Sequence, residues 1–504
     1  MVVCLVLWNV VRAQDTATPE FISNELESYV ERSLEVWKIP GIAICVVKDG
    51  EIIIERGYGV KQYNKSEPVD EHTLFLLGSA SKAFIATALA NLVYQGKCSL
   101  NDPVEQWLPA FRLSDPWVSK QVTVQDFLSH RSGLGTFQGD FMFYDSELTK
   151  KDVYAVLGKL ELKNDFRTYG YTNIGYFLVG EVIEAVSGNQ LADQLKKNIF
   201  MPLEMTQTLS IPSNFLQASN RSTPHTVENG RVTLRRMGDS DNMAAAGGIS
   251  SSVSDLSNWL MAQLDSGRFN ETRALPGEVI EMVRTPQILL GKSGPPYTLF
   301  NSSNFENYAS GWYNLDYEGT EIITHNGGTY GFTSSITLIP EHNLGIAILT
   351  NSDQHLLFDA VKLEIIDAYL GLPFRNYSKL AQSFYQFRQM QKQEDLEQIL
   401  QLVKAAPKPG LPLEKYMGTY KNEVCGEINI IAKEGALLMK FQHHATLEGE
   451  MHFMEEGKFL CSFNQSIYGK IVIPFTIENG EVKGMEFSVD ENVEPHSYDF
   501  DKIE

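Results

Sequence analysis

Cysteine is scarce in this chain, which contains five cysteines in 504 residues. A fold held together by disulfides needs a denser cysteine framework, so a packed apolar core must stabilise this one. Basic residues are also in the minority, because 42 lysines and arginines accompany 63 acidic residues and leave a formal net charge of −21. Such an acidic chain lacks the electrostatic footprint for nucleic acid or an anionic membrane, and we expect neither as a partner.

Beyond the first residues, no apolar stretch approaches the ~18 residues that a membrane-spanning helix needs. The N-terminal run from Val2 to Val11 is followed by Val11-Arg12-Ala13, a small-residue pattern typical of signal-peptide cleavage. We therefore expect residues 1–13 to be a signal peptide and the mature protein to be secreted or periplasmic. No membrane span should remain after cleavage.

Two common fingerprints of enzymes are absent as well. The chain has no Gly-x-Ser-x-Gly elbow, which argues against an α/β-hydrolase, and no glycine-rich nucleotide-binding motif. His443, His444 and His452 are close in sequence but lack the spacing of metal ligands, so a surface or hydrogen-bonded role is expected. We predict neither a metal nor a cofactor.

What the chain does contain is a set of β-rich runs far apart in sequence. Residues 41–47 and 51–60 are joined through Asp49-Gly50, a strong hairpin signal, and further strands are indicated at 321–325, 332–340 and 344–351. A lone hairpin is not stable, so we expect it to join the late strands in one antiparallel sheet, with the mainly helical segment between them packed alongside. The predicted fold class is α+β.

The C-terminal part has a different pattern. A polar helical segment, 373–410, ends in a proline-rich break and predicts a linker. Short alternating runs then fill residues 411–504, as in a small β-barrel or sandwich. Cys425 and Cys461 both lie there and are candidates for pairing.

One candidate for catalysis is the pair Ser79-x-x-Lys82 at the start of an apolar helix. At this spacing both side chains share a helical face, so the lysine amine can reach the serine hydroxyl and activate it. The helix N-terminus can also stabilise a developing oxyanion. Alone the pattern is weak, because a capping serine and a solvated lysine often occur at this spacing.

Two later motifs strengthen this interpretation. Tyr171-x-Asn173 offers a phenol that moves protons and an amide that binds substrate, although a core tyrosine beside a capping asparagine fits the same pattern. His325-Asn326-Gly327-Gly328 follows a strand, and its glycines allow close approach of a ligand or form a plain turn. His130, in the segment SHRSG, is expected to organise its loop.

In this order the three motifs resemble the serine β-lactamase and penicillin-binding-protein superfamily, in its class C-like branch. Further segments are similar to that branch: FLSHRSGL at 127–134, MPLEM at 201–205 and AAAGGISSSVSDLSNWL at 244–260. The resemblance implies a β-lactamase-like hydrolase domain over residues 19–372, with an antiparallel sheet, flanking helices and a helical subdomain. The C-terminal part looks like the lipocalin-like barrel appended to some of these hydrolases.

The resemblance also implies roles for the motif residues. Ser79 would form an acyl-enzyme, and Lys82 and Tyr171 would move its proton, with the lysine charge lowering the phenol pKa and the choice of base left open. The amides of Ser79 and Gly328 would form the oxyanion hole, Asn173 would bind substrate and steer Lys82, and His325 and Gly327 would line the substrate site.

One departure from the family pattern concerns substrate. His325 stands where typical lactamases carry a lysine, so recognition of a β-lactam carboxylate should weaken. A histidine there is similar to that of D-aminopeptidases and related esterases, which favours small peptides or esters over β-lactams. The alternative is a non-catalytic relative that binds peptides or assembles, and the C-terminal domain is a candidate surface for homo-oligomers.

Overall fold

A computed structural model of the chain describes residues 18–142, 145–238, 240–292, 303–405, 409–455 and 457–503. The predicted signal peptide lies outside the described residues. A large part with mixed helices and sheet comes first, and an all-β part follows it, in agreement with the predicted fold class.

The helices and strands are labelled in chain order. The helices are α1 (Leu26–Trp37), α2 (Ser81–Tyr94), α3 (Val104–Trp107), α4 (Pro116–Gln121), α5 (Val124–Leu128), α6 (Lys150–Leu157), α7 (Asn173–Ser187), α8 (Leu191–Leu195), α9 (Pro212–Gln217), α10 (Ala244–Gly247), α11 (Val253–Leu264), α12 (Gly277–Arg284), α13 (Leu357–Leu370) and α14 (Tyr377–Ala405). The strands are β1 (Gly41–Lys48), β2 (Glu51–Gly59), β3 (Phe75–Leu76), β4 (His225–Glu228), β5 (Arg231–Leu234), β6 (Ser250–Ser251), β7 (Arg268–Phe269), β8 (Thr272–Arg273), β9 (Ile288–Gly291), β10 (Glu306–Tyr308), β11 (Tyr313–Tyr317), β12 (Thr320–Thr329), β13 (Phe332–Ile339), β14 (Leu344–Thr350), β15 (Gly418–Asn422), β16 (Gly426–Lys433), β17 (Ala436–Phe441), β18 (His444–Glu455), β19 (Lys458–Phe463), β20 (Lys470–Glu478), β21 (Glu481–Phe487) and β22 (Tyr498–Lys502).

The early hairpin does join the late strands. The main sheet has the order β2-β1-β14-β13-β12-β11-β10-β9, and β1 pairs antiparallel with β14 in the register Ile42 to Thr350. Asp49 and Gly50 both have positive φ, at 54° and 80°, as the two central residues of a tight hairpin turn require. Two segments about 300 residues apart in sequence thus pair in one sheet. Strand β12, which carries the His325 motif, is one of its central strands.

Both faces of the central strands are buried. On β1, Ile42 and Ile44 pack with α1 and α13, whereas Ala43 and Cys45 face the core shared with α2 and α11. A strand covered on both faces shows an unbroken apolar run and no alternation, which explains the sequence GIAICVV.

Three strands of the main sheet were missed by the sequence analysis. Strands β9, β10 and β11 form its far edge. They are short, and β11 carries two polar residues in buried positions: Asn314 donates to the Arg284 carbonyl, and Asp316 accepts from the backbone amides of Asn304 and Phe305. Buried polar residues interrupt the apolar pattern that identifies a strand.

The C-terminal part is a closed antiparallel barrel of eight strands, β15 to β22. Of the two expected architectures, barrel and sandwich, the barrel is therefore correct. The pairing of Cys425 with Cys461 is not found, and both thiols are free. Cys425 lies in the turn between β15 and β16, whereas Cys461 is on β19 beside Gly449 of β18, so the two occupy different places in the barrel.

Helix α14 precedes the barrel and is 29 residues long. It is polar along most of its length, with only Tyr377, Ser378 and Ala381 buried. Among the helices of the described ranges, none combines the length and apolar character needed to cross a bilayer.

Candidate active site

Ser79 lies in a short 3-10 turn, Gly78–Ala80, that leads directly into α2. Gly78 has a φ of 51°, and a Cβ on it would lie 2.8 Å from the backbone nitrogen of Gly328, so the turn requires glycine. The serine thus sits at the N-terminal end of a 14-residue helix and on the wall of a cavity. The partial positive charge of that helix end favours an anion forming at this point.

Lys82 is completely buried, and three oxygen atoms lie within hydrogen-bond distance of its amine. Its Nζ lies 3.2 Å from Ser79 Oγ, 2.7 Å from Asn173 Oδ1 and 2.7 Å from the carbonyl oxygen of Ala246. Burial lowers the pKa of Lys82 to about 7, against an opposing attraction from Asp140. Near neutral pH a large fraction of this amine is therefore uncharged and able to accept a proton.

Tyr171 lies over the same lysine, with Lys82 Nζ 4.9 Å from the ring centroid. Its hydroxyl is buried and has no hydrogen-bond partner of normal geometry among the described residues, although Ser79 is close enough to influence its pKa. Burial raises the pKa of Tyr171 well above its ordinary value. This direction is opposite to the expected lowering of the phenol pKa, because desolvation by burial is the largest influence on it.

Asn173 begins α7 and bridges Lys82 and Asp140. Its Oδ1 accepts from Lys82, and its Nδ2 donates to Asp140 Oδ2 at 2.6 Å. The lysine amine donates to Oδ1, so the Nδ2 end of the amide faces Asp140. Asp140 was missed in the sequence because nothing in the segment DFMFYD distinguishes it from a surface acid.

His325, on β12, has both ring nitrogens engaged within the protein. The backbone N–H of Thr172 donates to His130 Nδ1 at 3.1 Å, so the hydrogen of His130 is on Nε2, 3.1 Å from the Tyr308 hydroxyl. That hydroxyl in turn donates to His325 Nε2 at 3.2 Å. The hydrogen of His325 is consequently on Nδ1, which donates to the carbonyl of Asn326 at 2.6 Å.

The surroundings of His130 and His325 disfavour the charged form of both imidazoles. Burial, together with the charge of Lys82, lowers the pKa of His325 to about 3 and that of His130 well below its ordinary value. His130 therefore positions the Tyr171 loop, through Thr172, as well as the ring of His325. Tyr308 links the two histidines and was not predicted from the sequence, since a tyrosine on a short strand carries no motif.

Gly327 and Gly328 lie beside the serine turn, with different surroundings. A Cβ on Gly327 would lie 1.9 Å from the carbonyl oxygen of Leu77 and 2.9 Å from the backbone nitrogen of Ser79, so no side chain fits. A Cβ on Gly328 would meet nothing within 4 Å. The strand therefore touches the turn at Gly327 and opens into the cavity at Gly328.

The cavity has a volume of about 720 Å³, which suits a small-molecule or short-peptide substrate. Its wall includes Ser79, Tyr171, Asn173, His325, Gly327 and Gly328, so the predicted site residues surround one space, with Lys82 buried directly behind. The charged side chains on the described part of this wall are Asp140, Glu306 and Asp359, all acidic. Three barrel residues, Ile467, Asn492 and Val493, complete it.

Other residues considered in the sequence lie elsewhere. His444 is buried in the barrel and its Nε2 contacts the carbonyl oxygen of Phe141 at 2.8 Å, a hydrogen-bonded role. His452 pairs with Glu450 on the barrel surface. Within the part of the chain that the structure describes, no group of three metal-ligating side chains comes together.

Comparison with known families identifies both parts of the chain. The model of a family described as Beta-lactamase matches residues 26–369. That of a domain of unknown function, DUF3471, matches residues 402–502, which include the barrel.

Individual proteins are also similar. Unguisins hydrolase ungD of Aspergillus violaceofuscus is 28% identical over 456 residues, covering 82% of this chain and 78% of the relative. Protein flp of Staphylococcus aureus is 23% identical over 373 residues, covering 72% and 69%. The solved structure of the octameric penicillin-binding protein homologue from Pyrococcus abyssi superposes with a TM-score of 0.60 at 23% identity, covering 95% of this chain and 99% of that one.

Proposed function

The chain belongs to the β-lactamase family, and on that premise we propose that it is a serine acyl hydrolase that works through an acyl-enzyme on Ser79. The family match, the β-lactamase-like fold and the closed barrel confirm the resemblance found in the sequence. The observation that carries the catalytic proposal is the 3.2 Å contact between Lys82 Nζ and Ser79 Oγ. A buried amine with a pKa of about 7 is a suitable base for that hydroxyl.

The proposed mechanism starts with neutral Lys82. The lysine takes the proton of the Ser79 hydroxyl as Oγ attacks the substrate carbonyl carbon, and the backbone N–H groups of Ser79 and Gly328 hold the oxyanion. Collapse of this intermediate expels an amine or alkoxide, which takes a proton from the Tyr171 phenol, and the Lys82 ammonium returns a proton to Tyr171. Water then attacks the acyl-enzyme while neutral Lys82 takes one of its protons, and the Lys82 ammonium returns a proton to Ser79 Oγ as the acid is released.

Lys82 is the base in this proposal, a choice that the sequence left open. The phenol of Tyr171 is the weaker candidate for a base because burial raises its pKa well above the ordinary value. A neutral phenol beside the nucleophile is instead well suited to donate to a leaving group. Asn173 holds Lys82 and offers its amide to the substrate.

The substrate class that fits this cavity is a small peptide, including one with D-amino acids, or an ester. Its described wall carries acidic side chains but no lysine or arginine, and both ring nitrogens of His325 are engaged internally. A carboxylate next to the scissile bond, as in a β-lactam, would meet no free cationic partner there. Neutral or cationic substrates are therefore favoured over β-lactams.

A fluorophosphonate probe tests the nucleophile. Labelling of the wild type and none of Ser79→Ala is expected, and Ser81→Ala is the matched control, since Ser81 is two residues further on and its Oγ accepts from the Ile249 amide. Equal labelling of Ser79→Ala and wild type would refute the assignment. Turnover of a p-nitrophenyl ester, a D-aminoacyl anilide and nitrocefin then ranks the substrate classes, with nitrocefin expected last.

The competing proposal is a non-catalytic member that binds peptides or assembles. Failure of the wild type to react with the probe, with penicillin or with any of the three substrates would favour it.

We also propose that the mature protein is secreted or periplasmic and forms homo-oligomers. The support is the apolar N-terminal run for the first and the octameric state of the similar archaeal structure for the second. N-terminal sequencing of the exported protein and light scattering test these points.

A further inference from the structure

The loop that carries Asp140 is inserted into the C-terminal barrel. The Phe141 ring stacks on His444 at a centroid distance of 4.4 Å and packs against Tyr468 and Phe487 at 5.7 and 5.2 Å. Nearby, His496 Nε2 lies 3.0 Å from the Thr136 carbonyl oxygen. One short loop beside the nucleophile thus has its main anchor in the barrel.

Glu494 of the barrel is the centre of this contact. It lies between β21 and β22, its side chain is completely buried, and its two oxygens accept the backbone N–H groups of Gly139 and Phe141 at 2.7 and 3.0 Å. The Tyr498 hydroxyl also donates to it. A carboxylate that accepts from the amides on both sides of Asp140 fixes the position of that residue's backbone.

Asp140 connects this anchor to the catalytic lysine. Its Oδ2 accepts from Asn173 Nδ2 at 2.6 Å, and Asn173 Oδ1 accepts from Lys82 at 2.7 Å. Asp140 Oδ1 is buried without a hydrogen-bond partner among the described residues, so the bond to Asn173 is the main constraint on its side chain. A shift of the loop would therefore be passed to the Asn173 amide and on to the amine.

We propose that Glu494 is a positioning residue for Lys82, acting through the Gly139–Phe141 loop, Asp140 and Asn173, so that the barrel sets the reactivity of Ser79. This inference rests on the proposed serine hydrolase function. It gives the C-terminal domain a role in catalysis besides closing one wall of the cavity.

Glu494, Asp140 and Lys82 are also coupled electrostatically. The buried carboxyl of Glu494 helps to raise the pKa of Asp140, while Asp140 opposes the fall in the pKa of Lys82. The titratable groups that face these three residues are Tyr171, Tyr176, His130 and His325 around Lys82, and Tyr498 and Cys425 around Glu494. Burial raises the pKa of Glu494 to about 7, so this carboxyl is partly charged at neutral pH. Removing that charge lets Asp140 ionise more readily, and an ionised Asp140 holds the proton on Lys82 more strongly.

The test is the rate of fluorophosphonate labelling as a function of pH, measured on the full-length protein with Glu494→Gln. A glutamine offers one acceptor oxygen where two backbone amides and a phenol donate, so the loop loosens. At pH 7 we expect labelling to slow by roughly tenfold to a hundredfold, the range for a small misplacement of a catalytic group. The pH midpoint should also move upward.

The matched control is Glu491→Gln, three residues away in the same barrel segment. Glu491 is exposed and pairs with Lys392 of α14 at 3.4 Å, away from the loop. It should keep the wild-type rate and midpoint. Tyr498→Phe, which removes one donor to Glu494, should shift both in the same direction as Glu494→Gln but less, and it provides the test if Glu494→Gln fails to fold.

A folded Glu494→Gln or Tyr498→Phe protein with wild-type rate and midpoint would overturn the positioning role. A lower melting temperature with an unchanged midpoint would show a merely structural contact and would also overturn it. If the wild type itself is not labelled at Ser79, the proposed function fails, and this inference falls with it.

Discussion

The Tyr308 hydroxyl lies 3.2 Å from His325 Nε2 and 3.1 Å from His130 Nε2, so a single phenol joins the two buried histidines. With Nε2 accepting from Tyr308 and Nδ1 donating to the neighbouring carbonyl, the imidazole of His325 has no N–H left for a ligand. His325, which the sequence motif predicted as a substrate contact, therefore makes both of its hydrogen bonds within the protein.

Tyr308→Phe should be destabilising and should change specificity. It leaves His130 Nε2–H and His325 Nε2 buried without their shared partner, which costs about 1–3 kcal/mol of unfolding free energy, measurable by urea denaturation. The His325 ring, no longer held at Nε2, is then free to turn and to offer its Nδ1–H to substrate. The ratio of nitrocefin to p-nitrophenyl ester turnover should rise.

Tyr94→Phe is the control for that experiment, because Tyr94 is 51% exposed at the end of α2. It should change neither the unfolding free energy nor the turnover ratio. An unchanged turnover ratio in Tyr308→Phe would show that the hydrogen bonds joining His130, Tyr308 and His325 do not determine specificity.

The rate of Ser79 labelling should depend on pH through Lys82. The neutral amine is the reactive form, so the rate should be low when Lys82 is protonated, rise through its pKa of about 7 and level off above it. His325, with a pKa of about 3, should add no second transition above pH 5. Lys82→Arg, which stays protonated, should be roughly 10²–10⁴-fold slower and lose the rise with pH. A flat profile in the wild type would exclude Lys82 as the base.

Much of the architecture was accessible from sequence because its signals are local. The Asp49-Gly50 turn and the apolar runs predicted the strands around it, and the stability argument for a lone hairpin predicted their union with β12 to β14. The three motifs likewise identified residues that line one cavity. Each signal depends on neighbours within a few positions in the chain.

What escaped prediction depends on contacts between distant segments. Asp140, Tyr308 and Glu494 carry no local pattern, and their importance comes from partners 33, 178 and 355 positions away. The sequence predicts a lowered pKa for Tyr171 because the charge of Lys82 is evident from the motif, whereas the burial of the phenol is not. Burial is a property of the folded core, and it reverses the direction of that shift.

The four cysteines of the predicted mature chain should all titrate as free thiols. Cys45, Cys425 and Cys461 are buried, and burial raises the pKa of Cys98 to about 11. Reaction with Ellman's reagent should therefore be slow in the native protein and complete, at four thiols, after denaturation without reductant. A count of two would restore the pairing of Cys425 with Cys461.

Gly327→Ala should damage activity by moving β12 away from the Ser79 turn. The new methyl carbon would lie 1.9 Å from the Leu77 carbonyl oxygen and 2.9 Å from the Ser79 nitrogen, so the strand must move away from the nucleophile turn. Since a displacement of about 1 Å at reacting atoms costs on the order of a hundredfold in rate, we expect at least that loss of Ser79 labelling. Gly328→Ala has open space for its methyl group and should keep the wild-type melting temperature, which controls for a general effect of alanine in this strand. Wild-type labelling in Gly327→Ala would mean that contact between strand and turn does not align the oxyanion donors.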